Sequence, residues 1–148
     1  MPLIVVTERL KSPPLAVWDL ILDVKRYPEL MECVLLIELL DHVGHADGST
    51  ESVVGWEVEL EGSVLRWVER ERHEPDRLRV TFEQVAGDMD RFSGHWQVLD
   101  EGEGITSVTL EVDFEIGIPV LRDVLDPFAA AAIRRNSSDM LLSLGPKA

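Results

Sequence analysis

Apolar residues recur in two rhythms along this chain. Leu3 to Leu10, with Val5, Val6 and Thr7, reads as a strand. After Ser12-Pro13-Pro14, where Ser12 can cap and proline fits a first turn, Val17, Trp18, Leu20, Ile21 and Val24 recur at helical spacing. Tyr27-Pro28 then opens a second short helix. From there the period is two. Strands are expected at Val34 to Val43, Ser52 to Leu60, Val64 to His73, Leu78 to Val85, Arg91 to Leu99 and Ile105 to Ile116. Turn signals separate them: Gly44 to Ser49, Glu61-Gly62-Ser63, Glu74-Pro75-Asp76, Ala86-Gly87-Asp88 and Asp100 to Gly104, with Gly117-Ile118-Pro119 after the last. Val120 to Leu144 reads as one unbroken helix, with Phe128, Ala129, Ala132, Ile133, Asn136 and Met140 on one face. Residues 1–148 thus form one α+β domain. A curved antiparallel sheet of six or seven strands makes a cup around a long C-terminal helix, with two short helices after the first strand.

Strand alternation decides what faces the hollow. Val54, Trp56, Val58 and Leu60 share one side, with Glu57 and Glu59 opposite. Val80, Phe82 and Gln84 share a side in the next but one strand, then Phe92, Gly94, Trp96 and Val98. Val108, Leu110, Val112, Phe114 and Ile116 do so in the last, with Glu111, Asp113 and Glu115 outward. The strand from Val64 is different. If Leu65 and Trp67 face inward, the same parity brings Glu69 and Glu71 inward. Arg66, Arg70 and Arg72 then lie outside, able to pair with Glu57 and Glu59. The opposite slip would bury three arginines and expose Trp67, which costs more. Inside an apolar cup a glutamic acid stays protonated and can act as general acid or base. At a flaring rim it simply reaches water, and parity leaves both placements open. Asn136 is open in the same way, toward a ligand or toward the sheet. The alanines from 129 to 132 either leave room for a ligand or merely favour helix. Trp56, Trp67, Trp96, Phe82 and Phe92 serve either as a clamp for a flat ligand or as core.

Charge and composition narrow the classes. The formal charge is -14 over 148 residues. Such a surface repels phosphate backbones and anionic lipid heads, so nucleic acid is not an expected partner. Cys33 is the single cysteine, which suits a reducing cytoplasm. No apolar run approaches the roughly 20 residues of a membrane span, and no signal segment opens the chain. His42, His45, His73 and His95 lack metal-ligand spacing, so no metal is expected. Cys33 has no base nearby in sequence, and Gly102 and Gly104 belong to an acidic hairpin rather than a phosphate loop. The outward ladder Glu111, Asp113, Glu115 is either a solvated face or a dock for a basic partner.

Several local motifs carry a resemblance that spans nearly the whole chain. They are Val17-Trp18-Asp19 with Asp23, Tyr27-Pro28-Glu29-Leu30, Arg66-Trp67-Val68-Glu69, Gly94-His95-Trp96, and Arg134 with Asn136. On these the chain resembles the START-like, helix-grip (SRPBCC) superfamily, and within it bacterial polyketide aromatase/cyclases and coenzyme Q-binding proteins. The resemblance implies a cofactor-free cyclase or dehydratase acting on an apolar, oxygen-rich poly-ketone or aromatic substrate. The alternative it implies is a carrier or sensor of a quinone, lipid or aromatic ligand. Trp67 and Trp96 match tryptophans of the cyclase pocket, Asn136 a polar residue of the long helix, and Tyr27 an aromatic after the first helix. On this reading Glu69 and Glu71 move protons, and Asn136 and Tyr27 hydrogen-bond carbonyl oxygens. Trp56, Trp67, Phe82, Phe92, Trp96, Phe128, Ala132 and Met140 hold the substrate. An acyl carrier protein delivers it to a monomer or homodimer. The chain departs from the aromatase pattern in one place: Glu69 and Glu71 stand where those enzymes carry a serine and an arginine. An ionised glutamate does not polarise a ketone oxygen as arginine does. That turns the expectation from first-ring aromatisation toward another cyclisation or dehydration.

Overall fold

The structure, a computed structural model, describes residues 3–115 and 122–148, with side chains in the second stretch from residue 127 onward. Strand β1 (Leu3–Leu10) leads into α1 (Pro14–Leu22), a single 3-10 turn (Val24–Arg26) and α2 (Tyr27–Leu30). Six strands follow: β2 (Val34–Gly44), β3 (Thr50–Leu60), β4 (Ser63–Glu74), β5 (Arg79–Gly87), β6 (Arg91–Gly102) and β7 (Ile105–Glu115). Helix α3 (Arg122–Leu142) closes the fold. The sheet order is β1-β7-β6-β5-β4-β3-β2, and every pairing is antiparallel. The meander therefore runs uninterrupted from β2 to β7, and β1 returns to pair with its last strand. Among the described residues no helix is long and apolar enough to cross a membrane.

The sheet wraps because its residues let it bend. Gly94 of β6 sits opposite Val112, and a Cβ there would lie 1.8 Å from the Glu111 carbonyl oxygen. No side chain is admitted, so backbone approaches backbone at this point. Gly87 faces Trp67 across β4 and β5, where a Cβ would come within 2.4 Å of the Trp67 Cβ. A side chain there would strike the Trp67 backbone, so only glycine fits. The concave face is the core, from Val54, Val80, Val98, Val108, Leu110, Val112 and Phe114. Helix α1 adds Val17, Trp18 and Ile21, and α3 lies over β1, β7 and β3 with Ile133, Met140 and Leu141. The end of the chain locks onto β1: the Ala148 N–H donates to the Arg9 carbonyl, and the Lys11 N–H to the Pro146 carbonyl.

Several expectations change. The closing helix is not free of breakers, since Pro127 lies in its second turn and takes one N–H from the helical ladder. Ser12 is not the cap of α1. Pro13 holds that position without a side-chain bond, and the Ser12 carbonyl instead accepts from Thr106 Oγ1 at 2.6 Å. The outer arginines find other partners. Arg66 pairs with Glu57 at 3.0 Å, but Arg70 meets Glu83 and Arg72 meets Asp47 and Glu51. Glu59 lies across from Val64 in the register and has no arginine opposite. The turn at Gly117-Ile118-Pro119 and the inward placement of Ile116 lie outside the described residues.

Candidate functional site

The inner face of β4 departs from every other strand. Trp67, Glu69, Glu71 and His73 follow one another at every second position, all buried. Glu69 is 2% exposed and Glu71 4%. Of the two placements that parity left open, the carboxyls occupy the interior one. Arg66, Arg70 and Arg72 lie on the other face, as the same parity requires.

An aromatic wall surrounds this row. Trp56 and Trp67 are register partners on β3 and β4, so their rings stack at 5.5 Å and 7°. Phe92 tilts against Trp67 at 5.0 Å and against Phe82 at 5.5 Å. Tyr27 stands edge-on to Trp56 at 5.5 Å. Between the sheet and α3 lies a cavity of about 70 Å³, and the free space counted out through its mouth into solvent is about 600 Å³. The cavity itself is well below the roughly 300–1,000 Å³ of a small-molecule site. A ligand of that size would fill the mouth as well, or move Met89 and Met140, whose flexible side chains line the wall.

Of the residues expected to act, Glu69, Asn136, Trp56, Trp67, Phe82, Phe92, Trp96 and Met140 line this cavity. Among the described residues Glu69 is the one carboxyl on its wall. Glu71 lies beside Glu69 and off the wall. Three further expected members also lie off the wall. Phe128 is 62% exposed and takes no part in the wall. Ala132 is buried but does not reach the cavity. Tyr27 is buried against the tryptophans, and its hydroxyl donates to the Ile21 carbonyl at 2.5 Å. Asn136 is on the wall, but its Nδ2 donates to the Glu59 carbonyl at 2.8 Å, so it ties α3 to the end of β3. Sequence reasoning also misses members. His73 looks like a strand end, although one more step of the same alternation brings it inward. Ser137 lies on the buried stripe of α3, one residue past Asn136. Met89 sits in the β5–β6 turn, where no periodicity marks it.

The electrostatics single out Glu69. Burial raises its pKa well above the usual carboxyl range, and the neighbouring Glu71 adds to this by charge and by hydrogen bond. The Trp67 Nε1–H, donating to Glu69 Oε1 at 2.7 Å, works in the other direction. The balance favours the protonated form of Glu69 over the charged one. Burial and then the charges of Glu71, Glu69 and Asp23 raise Tyr27 above its ordinary value, so the phenol stays protonated. Trp56 Nε1 is buried without a hydrogen-bond partner, an uncommon state for an indole. Cys33 is half-buried, and burial pushes its thiol up to about 11, so it is not a thiolate nucleophile at neutral pH. Among the described residues no three His, Cys, Asp or Glu side chains are arranged to hold a metal ion. The outer ladder is already engaged, Glu111 with His95, and Asp113 and Glu115 with Arg91.

Comparison with known proteins converges on one group. Residues 10–141 match the family described as "Polyketide cyclase / dehydrase and lipid transport". The chain is 30% identical over 129 residues to the actinorhodin polyketide synthase bifunctional cyclase/dehydratase of Streptomyces coelicolor. That alignment covers 83% of this chain and 39% of that protein. The chain thus spans about two fifths of the length of that relative. A crystal structure of a Thermus thermophilus protein superposes with a TM-score of 0.87 at 26% identity, covering 97% of this chain and 94% of that one. The ZhuI aromatase/cyclase of Streptomyces sp. R1128 shares the fold, with a TM-score of 0.84 at 21% identity over 97% of this chain and 90% of its own.

Proposed function

The chain belongs to the polyketide cyclase / dehydrase and lipid transport family, and we propose that it is a cofactor-independent cyclase or dehydratase in which Glu69 is the proton-transferring group. One observation carries this: a buried carboxyl, its pKa raised by burial, on the wall of a mostly aromatic and aliphatic cavity. The cavity holds a poly-ketone chain in a folded conformer, which brings its reacting carbons together. In aldol closure Glu69 gives its proton to the carbonyl oxygen that becomes the alcohol as the enolic carbon forms the new bond, and its carboxylate takes up the enol hydroxyl proton as that oxygen becomes a ketone. In dehydration it protonates the departing hydroxyl. The carboxylate left behind takes the proton from the adjacent carbon as the double bond forms and water leaves. Either way the acid is regenerated. The free Trp56 N–H, rather than Tyr27 or Asn136, is placed to donate to a ketone oxygen as it gains charge. The polyketide synthase named for the actinorhodin relative supports a substrate tethered to an acyl carrier protein, as a thioester.

Lipid transport in the family description supports a second reading, a carrier of a quinone or lipid. The two separate in one experiment. The protein is incubated with a synthetic poly-β-ketone thioester and the products are resolved by mass spectrometry, with Glu69→Gln as control. Cyclised or dehydrated product from the native protein, lost in the variant while ligand binding persists, is the expected result. A stoichiometric quinone or lipid that co-purifies unchanged, with no turnover, overturns the cyclase reading in favour of the carrier.

A further inference from the structure

The hydrogen bonds of β4 extend past the cavity. Trp67 Nε1 donates to Glu69 Oε1 at 2.7 Å, and the Glu71 carboxyl is close enough to Glu69 to raise its pKa by charge and by hydrogen bonding. Glu71 Oε1 lies 3.3 Å from His73 Nε2, and His73 Nδ1 lies 2.8 Å from Thr50 Oγ1 on β3. Two carboxyls thus stand side by side, with the Trp67 indole N–H at one end and an imidazole nitrogen of His73 at the other. Arginine and lysine are absent from this row. Among the described residues His73 is the one basic side chain in an ion-pair contact with either carboxyl. From the elements packed around it come Tyr27 of α2, His42 of β2 and Ser52 of β3, with Phe82 and Gln84 of β5 in register with Glu71 and Glu69. Tyr27 is a neutral phenol. His42 is turned to Ser52 Oγ at 2.7 Å, and Gln84 donates to the Met89 carbonyl.

Two like charges this close, both dry, do not ionise together. The same enclosure makes two neutral acids wasteful of the Trp67 N–H, and of a His73 Nε2–H, since each such donor binds a carboxylate more strongly. We propose that Glu69 and Glu71 hold a single proton between them, and that His73 is a positioning residue which, by donating to Glu71, keeps the charge there and leaves the proton on the carboxyl facing the cavity. Thr50 fixes the ring for this role, because an acceptor at Nδ1 that receives the threonine hydroxyl proton leaves Nε2 as the donor. The proposal supplies the acid that the cyclase reading uses, and so it rests on that reading for its purpose. Its geometry and its test do not.

The test counts protons on the free protein, with no substrate. Infrared difference spectra at pH 7, in water and in heavy water, are taken between the native protein and the Glu69→Gln/Glu71→Gln double variant. They report how many carboxylic acids the row holds. One acid is expected; none or two overturns the shared proton. The same comparison on His73→Phe, which keeps the ring shape and removes the donor, should rise from one acid toward two, and His73→Gln, which keeps an N–H, should restore one. A His73→Phe count equal to the native count overturns the role of His73. If that variant does not fold, Thr50→Val frees the ring from its anchor and should move the count in the same direction, with no change as the overturning result. Nitrogen NMR of the histidine ring must also show the proton on Nε2; a proton confined to Nδ1 refutes the arrangement. If the counts hold while no cyclisation is found, the function has failed and the proton row stands.

Discussion

Strands β4 and β7, separated in the sheet by β5 and β6, both face the hollow, and they are built on different rules. The inner row of β7 is Val108, Leu110, Val112 and Phe114, all buried and all apolar. The inner row of β4 is Trp67, Glu69, Glu71 and His73, equally buried and mostly polar. Burial is nearly the same in both, so burial does not distinguish a structural strand from a chemical one. What distinguishes them is the alternation of type. β7 gains stability from every inward residue. β4 places groups in the interior that cost free energy unless they bind one another. The outer faces repeat the lesson in reverse. Arg66, Arg70 and Arg72 are charged and paired, but they lie on a wet surface where such pairs contribute little.

Substitutions can break this contrast in order of size. Glu69→Gln keeps the shape and removes the acid, so turnover of a poly-ketone substrate should fall about 10²- to 10⁴-fold, with denaturant stability close to native. Phe114→Ala should do the opposite. It should destabilise by about 3–5 kcal/mol in urea unfolding, with residual activity tracking the folded fraction. A drop in turnover from Phe114→Ala beyond its folded fraction would erase the division between the strands.

The pH dependence of stability sharpens the point. Glu69 titrates above its ordinary value of 4.5 in the folded protein. Below 4.5 the group is protonated in both states and its neutral form is fully accommodated. As pH rises from 4.5 toward the folded value, the unfolded chain releases the proton first, so stability is lost with rising pH. The native protein minus Glu69→Gln should therefore lose stability across that window, by up to about 1.4 kcal/mol for each unit of pH. A flat difference would place an ionised Glu69 in the interior. The smallest effect belongs to the outer face, where Arg66→Ala should change unfolding free energy by no more than about 0.5 kcal/mol.

Much of the cup is legible in the chain because strand parity is rigid. One apolar pair, Leu65 and Trp67, is enough to send Glu69 and Glu71 inward and three arginines outward. Parity stops short at His73 because a polar residue beside Glu74-Pro75-Asp76 looks like the start of a turn. The helix is less legible. The buried stripe of α3 runs through Ala129, Ala132, Ile133, Ser137, Met140 and Leu141, whereas the face read from sequence takes in Phe128 and Asn136 and omits Ser137 and Leu141. One residue is about 100° of rotation, and a stripe that wide leaves its margin undecided. Hydroxyl and amide partners are not legible at all. Tyr27 is buried and Asn136 is on the cavity wall, but their bonds run to backbone carbonyls at Ile21 and Glu59, which no side-chain pattern encodes.

The near-parallel indoles of Trp56 and Trp67 give the molecule an optical property. Two identical chromophores held face to face share their excited states, and the coupling depends steeply on separation and angle. Near-ultraviolet circular dichroism should therefore carry a signature of this pair. A flat guest that slides between the rings or tilts one of them would change that signature directly, and occupancy of the cavity could be followed without any label.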